Sequence, residues 1–161
     1  MISERRKEVT TLSRLSKLQA VLIEEKLDAI LVTSPYNLRY VSNFTGTAGL
    51  ALVTQEKAFF ITDFRYTKQA ADQAKGFEVL RHVGPIFKEV ARLVDELKIT
   101  TLGFEDAYVS FRSYDELEAL VASDLVPASG IIEELREVKD AEEIATIKAA
   151  CAISDAAFTY I

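Results

Sequence analysis

The chain has 161 residues, 49% of them hydrophobic and 27% charged, with 19 Lys plus Arg against 25 Asp plus Glu. That balance belongs to a globular domain rather than a disordered or fibrous chain, and a chain of this length buries roughly 70% of its unfolded surface. The net charge of −6 argues against a nucleic-acid partner, and the single His82 and single Cys151 exclude an internal disulfide framework and any metal centre of imidazoles and thiolates.

Leu12, Leu15, Leu18, Leu22 and Ile23 recur at helical spacing and predict an amphipathic helix over residues 10–26. Asp28 to Thr33 is a short apolar run stopped by Ser34 and Pro35, the pattern of a buried strand. Tyr36 to Thr45 then mixes aromatic and polar residues and reads as a loop between strands. Leu50 to Thr54 and Ala58 to Thr62 flank Gln55, Glu56 and Lys57, close enough to form an antiparallel hairpin.

A helix is expected over Phe64 to Ala74, closed near Gly76, and a strand over Phe77 to Val83. Pro85 opens a helix through Leu97. A strand over Thr100 to Glu105, a helix over Ser110 to Val121, a strand over Asp124 to Pro127 and a helical piece over Ser129 to Glu137 follow. The last helix starts at Asp140, whose side chain suits an N-cap with Glu143 at the third helical position. It carries Ile144, Ile147, Cys151 and Phe158 at helical spacing and meets no stop signal, so the chain is expected to be part of a longer protein. Strands alternating with helices after a hairpin predict an α/β fold with a mixed sheet.

Charge is uneven along the chain. Residues 1–104 carry 15 basic and 12 acidic side chains, and residues 105–161 carry 4 and 13. The basic run Arg5, Arg6 and Lys7 precedes no apolar segment of a secretory signal, and nothing approaches the ~18 apolar residues of a membrane span. A cytoplasmic protein with no membrane partner is the expectation.

Chemistry is sparse. His82 ends a strand with no nucleophile in a strained elbow, and Cys151 on the apolar side of the last helix reads as a small core or interface residue. The acidic pairs on helices point in different directions and read as solvated faces. Glu105 and Asp106 end a strand where two acids could meet Mg²⁺, but nothing supplies the remaining ligands. Gly46 to Gly49 lacks the lysine of a phosphate loop and reads as a tight turn. The two polar clusters that stand out are Tyr36 to Thr45, and Thr62, Asp63, Arg65 and Tyr66. Both follow strands, where open α/β sheets place ligands, although Arg39, Asp63 and Arg65 could instead pair among themselves and anchor the loops.

Three stretches within these clusters and beyond occur in order: NLRYVSNFTG from Asn37, TDFRYTKQA from Thr62, and ELREVKDAEEIATIKAA from Glu134. Together they resemble the N-terminal domain of the Xaa-Pro aminopeptidase, prolidase and creatinase family, from about Arg14 to the last residue. The resemblance implies a mixed six-stranded sheet with helices on both faces, similar to ribonuclease H. It divides the chain into an N-terminal domain over 1–132 and, over 133–161, a linker with the first helix of a pita-bread catalytic domain. It implies that this second domain holds two divalent ions (Mn²⁺, Co²⁺ or Zn²⁺) through two Asp, one His and two Glu, and cleaves the bond before proline at peptide N-termini.

None of that ligand set matches this chain, which is expected to be inactive alone. By the same resemblance the N-terminal domain contributes to a homodimer and, through the segment matching Tyr36 to Thr45, helps limit the peptides that enter the partner's active site, with proline-containing peptides as partners of the full-length enzyme. Asn37, Arg39, Tyr40, Phe44 and Thr45 are the positions carried over, with Asp63, Arg65 and Tyr66 as their support. A pita-bread binding protein without metals, or a creatinase-type enzyme, shares the same N-terminal architecture.

Overall fold

The computed structural model describes residues 14–160. Residues 14–24 are helical (α1), and the expected start at residues 10–13 lies outside the described residues. There follow β1 (Ala29–Val32), α2 (Pro35–Ser42), β2 (Leu50–Thr54), β3 (Ala58–Thr62), α3 (Thr67–Gln73) and β4 (Glu78–Arg81). After these come α4 (Ile86–Glu96), β5 (Thr101–Phe104), α5 (Phe111–Glu118), β6 (Asp124–Pro127), α6 (Ile131–Glu137) and α7 (Ala141–Tyr160). The six strands form one sheet in the order β4-β3-β2-β1-β5-β6. β2 runs against β1 and β3, and the pairs β1–β5, β3–β4 and β5–β6 are parallel. The sheet is therefore mixed, with five strands pointing one way and the hairpin strand β2 the other.

Period-two alternation divides the strands between two cores. Ile30, Val32, Ala51, Val53 and Phe60 face α1, α2, α3 and α6, where Leu18, Leu22, Val41, Ala70 and Ile132 meet them. Ala29, Leu31, Leu52, Phe59 and Ile61 face α4 and α5, where Val90, Leu93, Val94 and Leu117 meet them. Because both faces are covered, β1 and β3 read as continuous apolar runs rather than alternating ones.

The hairpin closes as the spacing predicts, with Ala51 opposite Phe60 and Val53 opposite Ala58. Thr54 organises its turn: the backbone N–H groups of Glu56 and Lys57 donate to the Thr54 hydroxyl. The departure from expectation is α2. Tyr36 to Thr45 is not a loop but mostly helix, with Pro35 in its first turn and Asn43 closing it in the left-handed conformation at φ 58°. Proline fixes the backbone angle that a first helical turn needs, and Asn tolerates the left-handed region better than most residues. The polar and aromatic residues that mask its periodicity are buried there: Asn37, Tyr40 and Ser42.

α7 is a 20-residue helix with no buried residue, and Cys151 on it is exposed. Within this chain Cys151 is thus no part of either core. No described helix is long and apolar enough to cross a membrane.

Phe60 joins the first core to the edge of the sheet, with ring centroids 4.6 Å from Phe44 and 6.3 Å from Phe77. Phe60→Ala is expected to lower the unfolding free energy by about 3 to 5 kcal/mol, through lost transfer energy and the cavity left behind. Urea unfolding followed by circular dichroism measures it, and a loss near zero would mean that the site collapses to refill the space.

Candidate functional site

The carboxyl ends of the five parallel strands lie along one edge of the sheet, and both polar clusters sit on it. What fixes the first cluster is a side chain from a distant segment. Glu105, just past β5 and 3% exposed, turns its carboxylate into the junction between β1 and α2. One oxygen accepts from the backbone N–H of Thr33 at 2.5 Å, the Thr33 hydroxyl at 3.0 Å and the N–H of Ser34 at 2.7 Å. The other accepts from the Asn37 amide at 2.7 Å. Ser34 occupies the N-cap of α2 without a capping hydrogen bond of its own side chain, and the Glu105 carboxylate lies at that helix N-terminus. With its acceptor sites turned to these donors, Glu105 is a structural acceptor rather than a metal ligand.

Asn37 carries the network onward. Its amide donates a second bond to Glu133 at 2.5 Å, and its carbonyl oxygen accepts from Arg136 at 2.7 Å. Burial pushes the Glu133 carboxyl upward, but the bond from Asn37, those from the backbone of Gly130 and of Glu133 itself, and the Arg136 charge outweigh it and hold it below its ordinary value. Tyr40 lies one helical turn along, its hydroxyl donating to the Leu135 carbonyl at 2.8 Å. Burial raises the Tyr40 phenol, opposed by the Arg14 guanidinium 4.7 Å from its ring centroid. α2 is thereby tied to α6 at two of its inward polar positions, Asn37 and Tyr40.

Phe44 is also interior, its ring tilted against Phe60 and 5.7 Å edge-on to Tyr66. Gly46 passes so close above it that a Cβ there would lie 2.3 Å from Phe44 Cζ and 2.8 Å from Tyr66 Cδ1. Glycine is required at this position by close approach, and no phosphate cradle is needed to explain it. Thr45 is stapled to α3: its N–H donates to Gln73 Oε1 at 2.9 Å, and its hydroxyl accepts from Gln69 and Gln73 at 3.0 Å. Thr47 and the Tyr66 hydroxyl share a 2.8 Å hydrogen bond that closes the loop over the aromatic cluster.

In the second cluster Arg65 grips Asp63 with two parallel bonds, from Nε at 3.0 Å and from Nη2 at 2.7 Å. The backbone N–H of Arg65 adds a third at 2.9 Å. Hydrogen bonding from the Arg65 guanidinium leads the causes that hold the Asp63 carboxyl well below its ordinary value, at about 2. The guanidinium also lies 5.4 Å from the Tyr66 ring centroid. Asp63, Arg65 and Tyr66 therefore do form one supporting group. Arg39 stands outside it: its side chain is exposed and makes no hydrogen bond or ion pair among the described residues. The pairing among Arg39, Asp63 and Arg65 that would only anchor loops thus holds for the last two alone. Tyr36, 70% exposed, stands beside Arg39 on the outer face of α2.

The carried-over positions therefore separate into two kinds. Asn37, Tyr40, Phe44 and Thr45 build and fasten the platform, whereas Arg39 is the one that projects from it. Reading the sequence missed Glu105 as the anchor, together with Glu133, Arg136 and Gln73; the available signal was a charged residue directly after the apolar strand run LGF. His82 sits at the end of β4 with Nδ1 2.8 Å from the Gly84 carbonyl oxygen. Among the described residues no group of three or more His, Cys, Asp or Glu side chains is placed to hold a metal ion.

Comparison with known proteins agrees with this architecture. The Creatinase/Prolidase N-terminal domain profile matches residues 14–138. An uncharacterized peptidase of Bacillus subtilis (strain 168), YqhT, is 41% identical over 149 residues, covering 92% of this chain and 42% of the relative. The solved Xaa-Pro dipeptidase from Bacillus anthracis is 41% identical, with a TM-score of 0.90 over 93% of this chain and 42% of that one. The N-terminal domain of the cytoplasmic peptidase PepQ from Mycobacterium tuberculosis H37Rv is 35% identical, with a TM-score of 0.71 over 76% of this chain and 98% of that one. This chain thus spans about two fifths of the two Bacillus proteins.

Two outcomes follow from the geometry. Glu105→Gln places an amide N–H₂ against donors already aimed at the carboxylate, and is expected to cost about 1 to 3 kcal/mol of stability in urea unfolding; an unchanged midpoint would show that the junction does not depend on this acceptor. For Asp63, whose folded value lies below the unfolded one of 3.8, the stabilisation is present above that value and is lost as pH falls toward about 2. Carboxyl chemical shifts should titrate Asp63 near 2 in the native chain, and Arg65→Gln should return the midpoint toward 3.8.

Proposed function

The chain belongs to the creatinase/prolidase N-terminal domain family, and we propose that it is the non-catalytic N-terminal portion of a cytoplasmic, metal-dependent Xaa-Pro peptidase. In this reading it contributes to dimerisation and gates the entry of peptides. The observation that carries the proposal is the extent of the match, nearly the whole chain against only 42% of the length of two peptidases. The chemistry then belongs to the remaining portion, together with the two divalent ions (Mn²⁺, Co²⁺ or Zn²⁺) that would activate water for hydrolysis of the Xaa-Pro bond. The described side chains offer no ligand group for those ions, so no step of the reaction is assigned to this chain.

A gate must hold its shape while presenting groups to what passes it. The platform under α2 meets the first need, because Glu105 holds the N-terminus of the helix and Asn37 and Tyr40 tie it to α6. Arg39 and Tyr36 meet the second. An arginine without a counter-ion among the described residues is a ready donor to a peptide carboxylate, and an exposed tyrosine offers a flat face to a proline ring. Asp63, Arg65 and Tyr66 support the neighbouring loop. The proposed partners are the catalytic portion of the same protein, a second copy of it, and proline-containing peptides.

In the full-length dimer assayed with Mn²⁺ and an Xaa-Pro peptide, Arg39→Ala is expected to raise KM roughly tenfold with kcat nearly unchanged, the mark of a lost binding contact. Its thermal midpoint should match that of the parent. A sharp fall in the midpoint with unchanged kinetics would assign Arg39 to structure instead. The 161-residue chain alone should show no turnover of the same peptide, and measurable turnover would overturn the assignment.

A further inference from the structure

α7 leaves the body of the fold with none of its residues buried, so something other than apolar packing must set its direction. The contacts at its base come from the opposite end of the chain. Arg14, in α1, reaches Asp140 with Nη2 at 2.8 Å and Glu143 at 3.2 Å. Its Nη1 donates to the Tyr40 carbonyl at 3.4 Å, and its guanidinium lies over the Tyr40 ring. The two carboxylates are themselves locked by a capping box: the N–H groups of Glu142 and Glu143 donate to Asp140 Oδ1, and the N–H of Asp140 donates to Glu143 Oε2. One cation thus holds both acids that define the first turn of α7, and holds them against α2.

This cluster is expensive to form. The Arg14 side chain is 12% exposed and those of Asp140 and Glu143 are 34% and 28% exposed, so all three charges lose much of their hydration. Arg14 Nε is buried with no hydrogen-bond partner among the described residues. A desolvated ion cluster with an orphaned donor is a weak source of stability compared with apolar packing. Its directional bonds give it a different use, namely to select one orientation among several that an unpacked helix could take.

We propose that Arg14 is a positioning residue that fixes the direction in which α7 leaves the α/β body, by clamping Asp140 and Glu143 onto the Tyr40 face of α2. The inference concerns this chain's own geometry and stands whether or not the peptidase reading holds. On that reading, the clamp also sets where the Arg39 platform lies relative to the segment that α7 enters.

The lone cysteine makes the test direct. A spin label on Cys151 reports α7, and a second on Lys88→Cys, exposed on α4, reports the body. In the 161-residue chain, double electron–electron resonance should give a single narrow distance distribution. Arg14→Gln should broaden it about twofold or more, while the near-ultraviolet circular dichroism of the body stays the same, because a neutral amide cannot hold two carboxylates. Arg14→Lys should restore part of the narrowing, since an ammonium can pair with one of them. Asp140→Asn, which can still cap the helix but lacks the charge, should broaden the distribution as well and keeps the test open if Arg14→Gln does not fold. An unchanged width in Arg14→Gln, or in Asp140→Asn should the former not fold, overturns the proposal. Because no activity is measured, that outcome leaves the gating reading to its own experiment.

Discussion

A single buried carboxylate sets the working edge of this fold. Where β1 ends, the chain must turn into α2 beside the carboxyl end of β5, and two backbone N–H groups are left without strand or helix partners. Unpaired donors at a buried junction cost free energy comparable to a lost hydrogen bond each. Glu105 satisfies both, together with the Thr33 hydroxyl and the Asn37 amide. Since β1 and β5 are hydrogen-bonded neighbours, the acceptor arrives from the adjacent strand without any excursion of the backbone. The register Leu31 opposite Phe104 places the next residue, Glu105, beside the end of β1.

From that point order spreads outward by short steps. Asn37 links Glu105 to α6, Tyr40 ties the next turn of α2 to the Leu135 carbonyl, and Phe44 enters the aromatic cluster of Phe60 and Tyr66. The loop that follows is then fastened to α3 through Thr45 and Gln73. Each link has a polar group satisfied or a ring packed, so α2 has little freedom left. Its outward side chains, Tyr36 and Arg39, therefore project from a rigid support rather than from a mobile loop. Rigid elements hold a recognition group in place with less entropy to lose on binding than a flexible loop would.

The strands were legible in the sequence because local pattern and global fold agree there. The hairpin, the continuous apolar runs and the strand Asp124–Pro127 all sit within a residue or two of their expected bounds. The cap at Asp140 was legible for the same reason, since its partners lie within three residues. α2 was not. Its inward face carries Asn37, Tyr40 and Ser42 as well as Leu38 and Val41, and a mixed face of that kind has no clean helical period. Ser42 is satisfied within the helix by the Leu38 carbonyl, but Asn37 and Tyr40 can be buried only because Glu105, Glu133 and Leu135 complete them, from 68 to 96 positions away. No local reading of Tyr36 to Thr45 contains that information. Glu105 itself looked like one of a pair with Asp106, but the two part company: Asp106 turns outward and accepts from the backbone N–H of Ser129.

The same distinction between local and distant partners sorts the charges. Arg92 with Glu89 and Glu96, Lys98 with Asp95, and Arg65 with Asp63 all pair within four residues of one another on exposed surface. Pairs of that kind are screened by water and salt and contribute little to stability, although Arg65 and Asp63 shape their turn. Arg14 and Asp140 are 126 positions apart and mostly out of water. Their pairing is tertiary, since α1 and the base of α7 meet beside Tyr40 of α2. An interaction between distant segments, at a high desolvation cost and in one geometry, adds little to the stability of the body and much to the definition of what extends from it. The base of α7 accordingly carries two carboxylates, Asp140 and Glu143, that are already paired before the helix extends away from the body.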